Sequence, residues 1–184
     1  MRKLIAIIIV ATVTGTAAFA QDWYKSYAPG INQNILINAG IGFGPTGGYG
    51  NGVIPLSVSA DFKLPIDLPL TVGGILTYSQ WKYSFTVLSN NYDLKWNNIG
   101  FGVRVMYHFN FIENFDVYTG ITLGYVIQTF DDSGYSGNNY DANSFFLFGF
   151  NVGARYFFTD NIGAYLEVGY SGLQFASFGV TFKL

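Results

Sequence analysis

The chain has no cysteine, which excludes disulfides, thiolate metal sites and a cysteine nucleophile. Charge is scarce as well: Asp, Glu, Lys and Arg make up 11% of the residues, against roughly 25% in an ordinary soluble domain. A chain this poor in charge cannot coat a water-facing surface of its own size. Net charge is −2 and the pI is near 5.1, so there is no basic footprint for nucleic acid. Histidine occurs once, as His108. Beyond the first 20 residues no run of 18 apolar residues occurs, so transmembrane helices are excluded. What remains is a 184-residue chain, long enough for one domain, that is half hydrophobic and 19% aromatic. Its 23 glycines recur inside apolar segments instead of clustering as a linker.

Residues 1–20 have the grammar of a signal peptide. Arg2 and Lys3 are followed by an apolar core from Leu4 to Val13, and Ala18-Phe19-Ala20 offers a small-x-small cleavage site before Gln21. That core is too short to anchor the chain, because a spanning helix needs about 20 residues. Export is therefore expected, with residues 21–184 forming the mature domain.

From there on, side chains alternate with period 2. In Ile54–Phe62 the even positions are apolar; in Ile99–Tyr107 the odd ones are. Such alternation specifies strands. Eight are expected, over about 34–43, 53–62, 70–80, 97–109, 115–128, 144–158, 162–171 and 173–184, each long enough to cross a bilayer at a tilt. The links alternate between short (63–69, 110–114, 159–161) and long (44–52, 81–96, 129–143), with a short final loop near Ser171-Gly172. Short turns on one side and long loops on the other is the asymmetry of outer-membrane barrels.

The two parities differ in kind. One carries bulk: Ile37, Val58, Leu76, Phe101, Val103, Leu123, Phe148, Phe150, Leu166, Phe178 and their neighbours, with no charge among them. The other carries Asn38, Ser59, Asp61, Arg104, Thr122, Asn151, Arg155, Glu167, Thr181 and most of the glycines. A soluble barrel with bulk inside and glycine outside would overfill its lumen and bare its backbone. The opposite sorting puts bulk in lipid and small polar groups in a narrow lumen. A lipid-facing arginine at the midplane would cost about 2–4 kcal/mol, so Arg104 and Arg155 point inward. Closure is required, because an unpaired N–H or C=O costs several kcal/mol in hydrocarbon. The expected fold is all-β: an eight-stranded antiparallel transmembrane β-barrel, an up-and-down meander whose interior is filled by side chains without an aqueous channel. Tyr78, Tyr107, Phe109, Tyr125, Tyr156, Phe158 and Tyr170 fit aromatic girdles at the two interfaces.

The last strand, with Ser177, Gly179, Phe182 and terminal Leu184, resembles the insertion signal read by the outer-membrane assembly machinery, with Leu in place of the commoner Phe. Asp116–Tyr125, Val152–Phe158 and Glu167–Tyr170 resemble the small outer-membrane β-barrel domain proteins, the OmpA- and OmpX-like group. The likeness spans the mature chain and is architectural. It implies insertion into a Gram-negative outer membrane among lipid and lipopolysaccharide, and it carries over no catalytic residue.

Arg155 and Glu167 flank the turn at Asp160-Asn161 and are expected opposite each other, as a lumenal salt bridge or, alternatively, part of a gated ion path. Asp61, Arg104 and Lys183 are expected in the same network, since a buried charge requires a partner. His108 is expected at the periplasmic interface beside an aromatic run, and Ser, His and Asp do not converge on a catalytic arrangement. Asp131, Asp132 and Asp141 are spaced too loosely for a calcium loop. No cofactor or metal is implied. The oddity is 81–96, where Trp81, Tyr83, Phe85, Tyr92, Leu94 and Trp96 occupy the lumen-facing parity of their strands. A hairpin pairing 83 with 96, 85 with 94 and 87 with 92 makes one aromatic ladder past the bilayer. It either caps the mouth, is flipped into lipid by bulges, or docks a partner such as another membrane protein.

The expectation is a non-enzymatic small barrel, acting structurally or by contact through its outer loops. The runner-up is passage of a small hydrophobic molecule, as in an OmpW-like barrel, and a barrel enzyme stands third.

Overall fold

The computed structural model describes residues 35–44, 52–88, 90–112, 114–132, 142–171 and 173–184. The proposed signal peptide and Asp141 lie outside these. Eight strands follow in chain order: β1 (Ile35–Phe43), β2 (Leu56–Lys63), β3 (Leu70–Val87), β4 (Asn90–Ile112), β5 (Phe115–Asp132), β6 (Phe145–Phe157), β7 (Ile162–Tyr170) and β8 (Ala176–Lys183). Each pairs antiparallel with its neighbours, and β1 pairs β8 from Leu36↔Lys183 to Phe43↔Ala176, so the sheet closes and has no edge.

The sorting of side chains is the one alternation demands. Arg104, Arg155, Asp61, Thr122 and Asn151 are buried inside. Val58, Leu76, Phe101, Val103, Phe148 and Leu166 stand on the outer face and are exposed in the isolated chain, which is the surface acyl chains would cover. Glycine on the inner face follows from crowding. A Cβ at Gly120 would overlap the Val105 carbonyl oxygen, and one at Gly153 would overlap the Tyr118 ring. Gly169 has a different reason: its φ of +136° is closed to other residues.

Aromatic pairs mark the two rims. Tyr107–Phe109 and Tyr156–Phe158 lie at the end of the short turns, with centroids 4.8 and 5.4 Å apart. Tyr125–Phe146 and Tyr170–Phe175 lie at the other end, at 5.1 and 5.8 Å. By the short-turn asymmetry the first rim is periplasmic and the second extracellular.

Two boundaries differ from those expected. Residues 81–96 are not a link: β3 and β4 run through them as one ladder, from Leu70↔Tyr107 to Val87↔Asn90. The chain turns after Val87, with Leu88 at φ 49°. The expected pairing of 83 with 96 is off by two residues, since the observed rungs are Trp81↔Trp96, Tyr83↔Leu94 and Phe85↔Tyr92. A slip of two preserves faces, so the aromatic ladder survives the error. The second difference is at the final hairpin. β8 begins at Ala176, and the link before it turns inward, burying Ser171, Leu173 and Gln174.

Candidate functional site: the lumenal network and the extracellular extension

The lumen is filled in three layers. At its centre, Arg155 of β6 is fully buried and reaches three other strands, β1, β2 and β5. Its Nη2 donates to Asp61 Oδ2 at 2.9 Å, Nη1 to Asp116 Oδ2 at 2.8 Å and Nε to Asn38 Oδ1 at 3.1 Å. Its guanidinium also lies 4.0 Å over the Tyr118 ring. Arg104 of β4 donates from Nη2 to Glu167 Oε2 at 2.8 Å, and that carboxylate also accepts from the Tyr118 hydroxyl at 3.0 Å. Arg104 Nε and Asp61 Oδ1 are 3.1 Å apart, an ion pair without hydrogen-bond alignment. Taking charges out of water is costly, and here each guanidinium faces two carboxylates, which offsets that cost.

The expected members therefore divide. Asp61, Arg104, Arg155 and Glu167 do form one network, but Arg155 and Glu167 are not opposite each other. Register puts Arg155 across from Tyr165 and Glu167 across from Gly153, and Glu167 pairs with Arg104. Lys183 makes no ion pair within 4.0 Å among the described residues, and its ammonium instead lies 3.9 Å over the Phe157 ring. β8 brings it inward at the periplasmic end, where Phe157 fills the lumen.

His108 is not interfacial. It is buried, with Nδ1 2.9 Å from Asp116 Oδ1 and Nε2 2.9 Å from Thr71 Oγ1. The parity of β4 decides this: Arg104, Met106 and His108 alternate on one face, and a position near the strand end does not change the side. Asp116 and Tyr118 were equally legible, sharing parity with Gly120, Thr122 and Gly124. A hydroxyl, an imidazole and a carboxylate therefore converge here, with Thr71 and not a serine supplying the hydroxyl. The layer above is neutral and polar: Asn151 Nδ2 donates to Thr122 Oγ1 at 3.2 Å and Gln128 Nε2 to Asn98 Oδ1 at 2.9 Å. At the extracellular mouth Leu173 packs on Val126 and Leu147 beside Phe145, an apolar stopper.

Beyond that mouth β3, β4 and β5 continue as a three-stranded extension, with Leu94↔Asp132 as its farthest β4–β5 rung. No register shift interrupts β3–β4, so the bulged alternative is excluded. On its inner face Trp81 and Trp96 stack at 4.7 Å, Phe85 and Tyr92 at 5.6 Å, and Trp96 meets Phe130 at 5.1 Å. Leu94 is buried among them, while Trp81 is 42% and Tyr83 55% exposed. The outer face is polar: Lys82 Nζ lies 2.9 Å from Asp93 Oδ2, and the Ser84 hydroxyl donates to Asp93 Oδ1 at 2.7 Å. Those hydrogen bonds, Lys82 first and Ser84 second, hold the Asp93 carboxyl below the usual carboxylate range. Of the resemblance to an insertion signal, Ser177 is buried on the lumen side with Gly179 on the same parity, and Phe182 and Leu184 are exposed on the lipid side.

A closed antiparallel barrel, bulky outside and ion-paired inside, defines a membrane-spanning β-barrel protein. The chain belongs to the outer membrane protein beta-barrel domain family, which it matches over residues 6–182. In structure it is similar to Ail, the attachment invasion locus protein of Yersinia pestis, solved in complex with the heparin analogue sucrose octasulfate. That likeness has 13% identity and TM-score 0.50, covering 82% of this chain and 93% of Ail. The N-terminal β-barrel domain of Pseudomonas aeruginosa OprF is similar at 18% identity and TM-score 0.49, covering 83% of this chain and 98% of that domain. No curated protein matches the sequence.

Proposed function

We propose that the chain is a non-enzymatic, non-conducting barrel of the Gram-negative outer membrane, exported by residues 1–20 and anchoring a stiff extracellular extension for contact with a partner. The observation that carries this reading is the unbroken β3–β4 ladder, which lifts an aromatic face past the extracellular rim. Exposed aromatic strips of this kind mark contact sites, and Trp81 and Tyr83 are its accessible members.

The lumen favours anchorage over passage. A small hydrophobic molecule would have to cross the Arg104–Glu167 and Arg155–Asp61 pairs, which would leave buried charges uncompensated. A hydrolytic reading of Thr71, His108 and Asp116 fares no better. Thr71 is buried, and Asp116 is also committed to Arg155.

Two measurements test the proposal. The purified barrel in a planar bilayer is expected to show no unitary conductance, and discrete openings would contradict the closed lumen. Trp81→Ala with Tyr83→Ala is expected to keep heat-modifiable gel mobility, the mark of a folded barrel, while losing a membrane-protein partner retained by the wild type in mild detergent. Equal retention by the double variant would remove the extension from the contact.

A further inference from the structure

The barrel loses two of its walls at one height. On one side, the Gln80 N–H donates to the Val53 carbonyl at 3.0 Å, the highest backbone bond that β3 receives from the β2 side among the described residues. On the other, β5 pairs β6 up to Val126↔Phe145, and just above it the Gln128 N–H donates to Ser144 Oγ at 3.3 Å. Beyond that line β3, β4 and β5 pair only with one another among the described residues. A sheet of two or three strands twists and bends more readily than a closed barrel. Val87 lies seven residues past Gln80, about 23 Å at the usual rise, so a swing of about 10° at the line would carry it about 4 Å.

Four carboxamides stand on this line, in the adjacent rungs Gln80↔Asn97 and Asn98↔Gln128. Asparagine is disfavoured inside strands, and neither of these serves a turn. On the outer face Asn97 Oδ1 accepts from Gln80 Nε2 at 2.7 Å and from the Tyr78 hydroxyl at 3.2 Å. Its Nδ2 donates to Asp131 Oδ2 at 2.9 Å, so one side chain ties β3, β4 and β5 together. On the inner face Gln128 Nε2 donates to buried Asn98, and Gln128 Oε1 accepts the Asn143 backbone N–H at 3.1 Å. A carboxamide both donates and accepts, which suits it to bridging strands where a wall of backbone partners ends.

We propose that these four amides form a collar that holds the extension in one pose, so that extension and barrel move as a single body. Asn97 and Gln128 are its positioning residues, one on each face. The collar rests on the contact reading above for its purpose: a face already fixed in place meets a partner without the ordering cost of a swinging hairpin.

The test is a spin-label distance measurement on the full folded chain in lipid nanodiscs. The chain has no cysteine of its own, so Leu56→Cys at the barrel rim and Leu88→Cys at the exposed tip carry the two labels. With the collar intact, one narrow distance distribution is expected. Asn97→Val with Gln128→Val is expected to at least double its width while heat-modifiable mobility is kept. Should that pair of substitutions fail to fold, Asn97→Val alone is expected to broaden the distribution in the same direction. Ser84→Ala removes a side-chain bond to Asp93 above the collar and is expected to leave the width unchanged. Equal widths with and without the collar amides in folded protein would overturn the proposal, and so would equal broadening by Ser84→Ala. The width is read with no partner present, so its failure is distinct from failure of the contact reading, which partner retention decides.

Discussion

Strands β3 and β4 are amphipathic twice, with opposite sense. Below the rim at Tyr78 and Ile99 their inner face carries Thr77, Gly100 and Arg104, and their outer face Leu76, Phe101 and Val103. Above it the inner face carries Trp81, Tyr83, Leu94 and Trp96, and the outer face Lys82, Ser84 and Asp93. The backbone does not change: the same ladder and the same parity run through both. What changes is the medium outside, acyl chains below and water above. Bulk turns toward whichever side is drier. The two regions also hold charge differently, one pairing it in a sealed lumen and the other on a wet face, so identical chemistry should have unequal worth.

That inequality can be broken by substitution. The largest effect is expected inside the barrel at Gly120→Leu, because the new side chain would collide with the Val105 carbonyl and no other backbone path exists there. It should yield no heat-modifiable band, whereas Gly74→Leu on the lipid face folds normally. Arg155→Met removes the cation shared by Asp61 and Asp116 and should cost about 3–5 kcal/mol in equilibrium urea unfolding. Leu173→Ala empties the extracellular stopper and should cost about 2–5 kcal/mol by the same measurement.

On the extension the expected effects shrink. Lys82→Met breaks an ion pair as short as those in the lumen, yet water and salt screen this partly exposed pair, so the loss should be far smaller than that of Arg155→Met and should fade in high salt. A loss comparable to that of Arg155→Met would mean the extension is as dry as the lumen. Smallest is the pH response of Asp93. Its carboxyl is depressed in the folded hairpin, so its contribution is complete above the ordinary carboxylate range and is lost only as pH falls below that range. Carboxyl-detected NMR titration should show Asp93 protonating later than an unpaired aspartate, with the barrel strands unperturbed.

The sequence by itself determined the barrel: scarce charge, no helical span and eight alternating segments allow little else, because hydrocarbon tolerates no open sheet edge. It also placed the extension's aromatics on the inner parity, since parity is a local property of a strand. Only the tertiary structure decided who pairs with whom. Glu167 bonds to Arg104 across the lumen instead of to Arg155 across the hairpin, and His108 joins Asp116 and Thr71. Such pairings depend on the register and shear of all eight strands together.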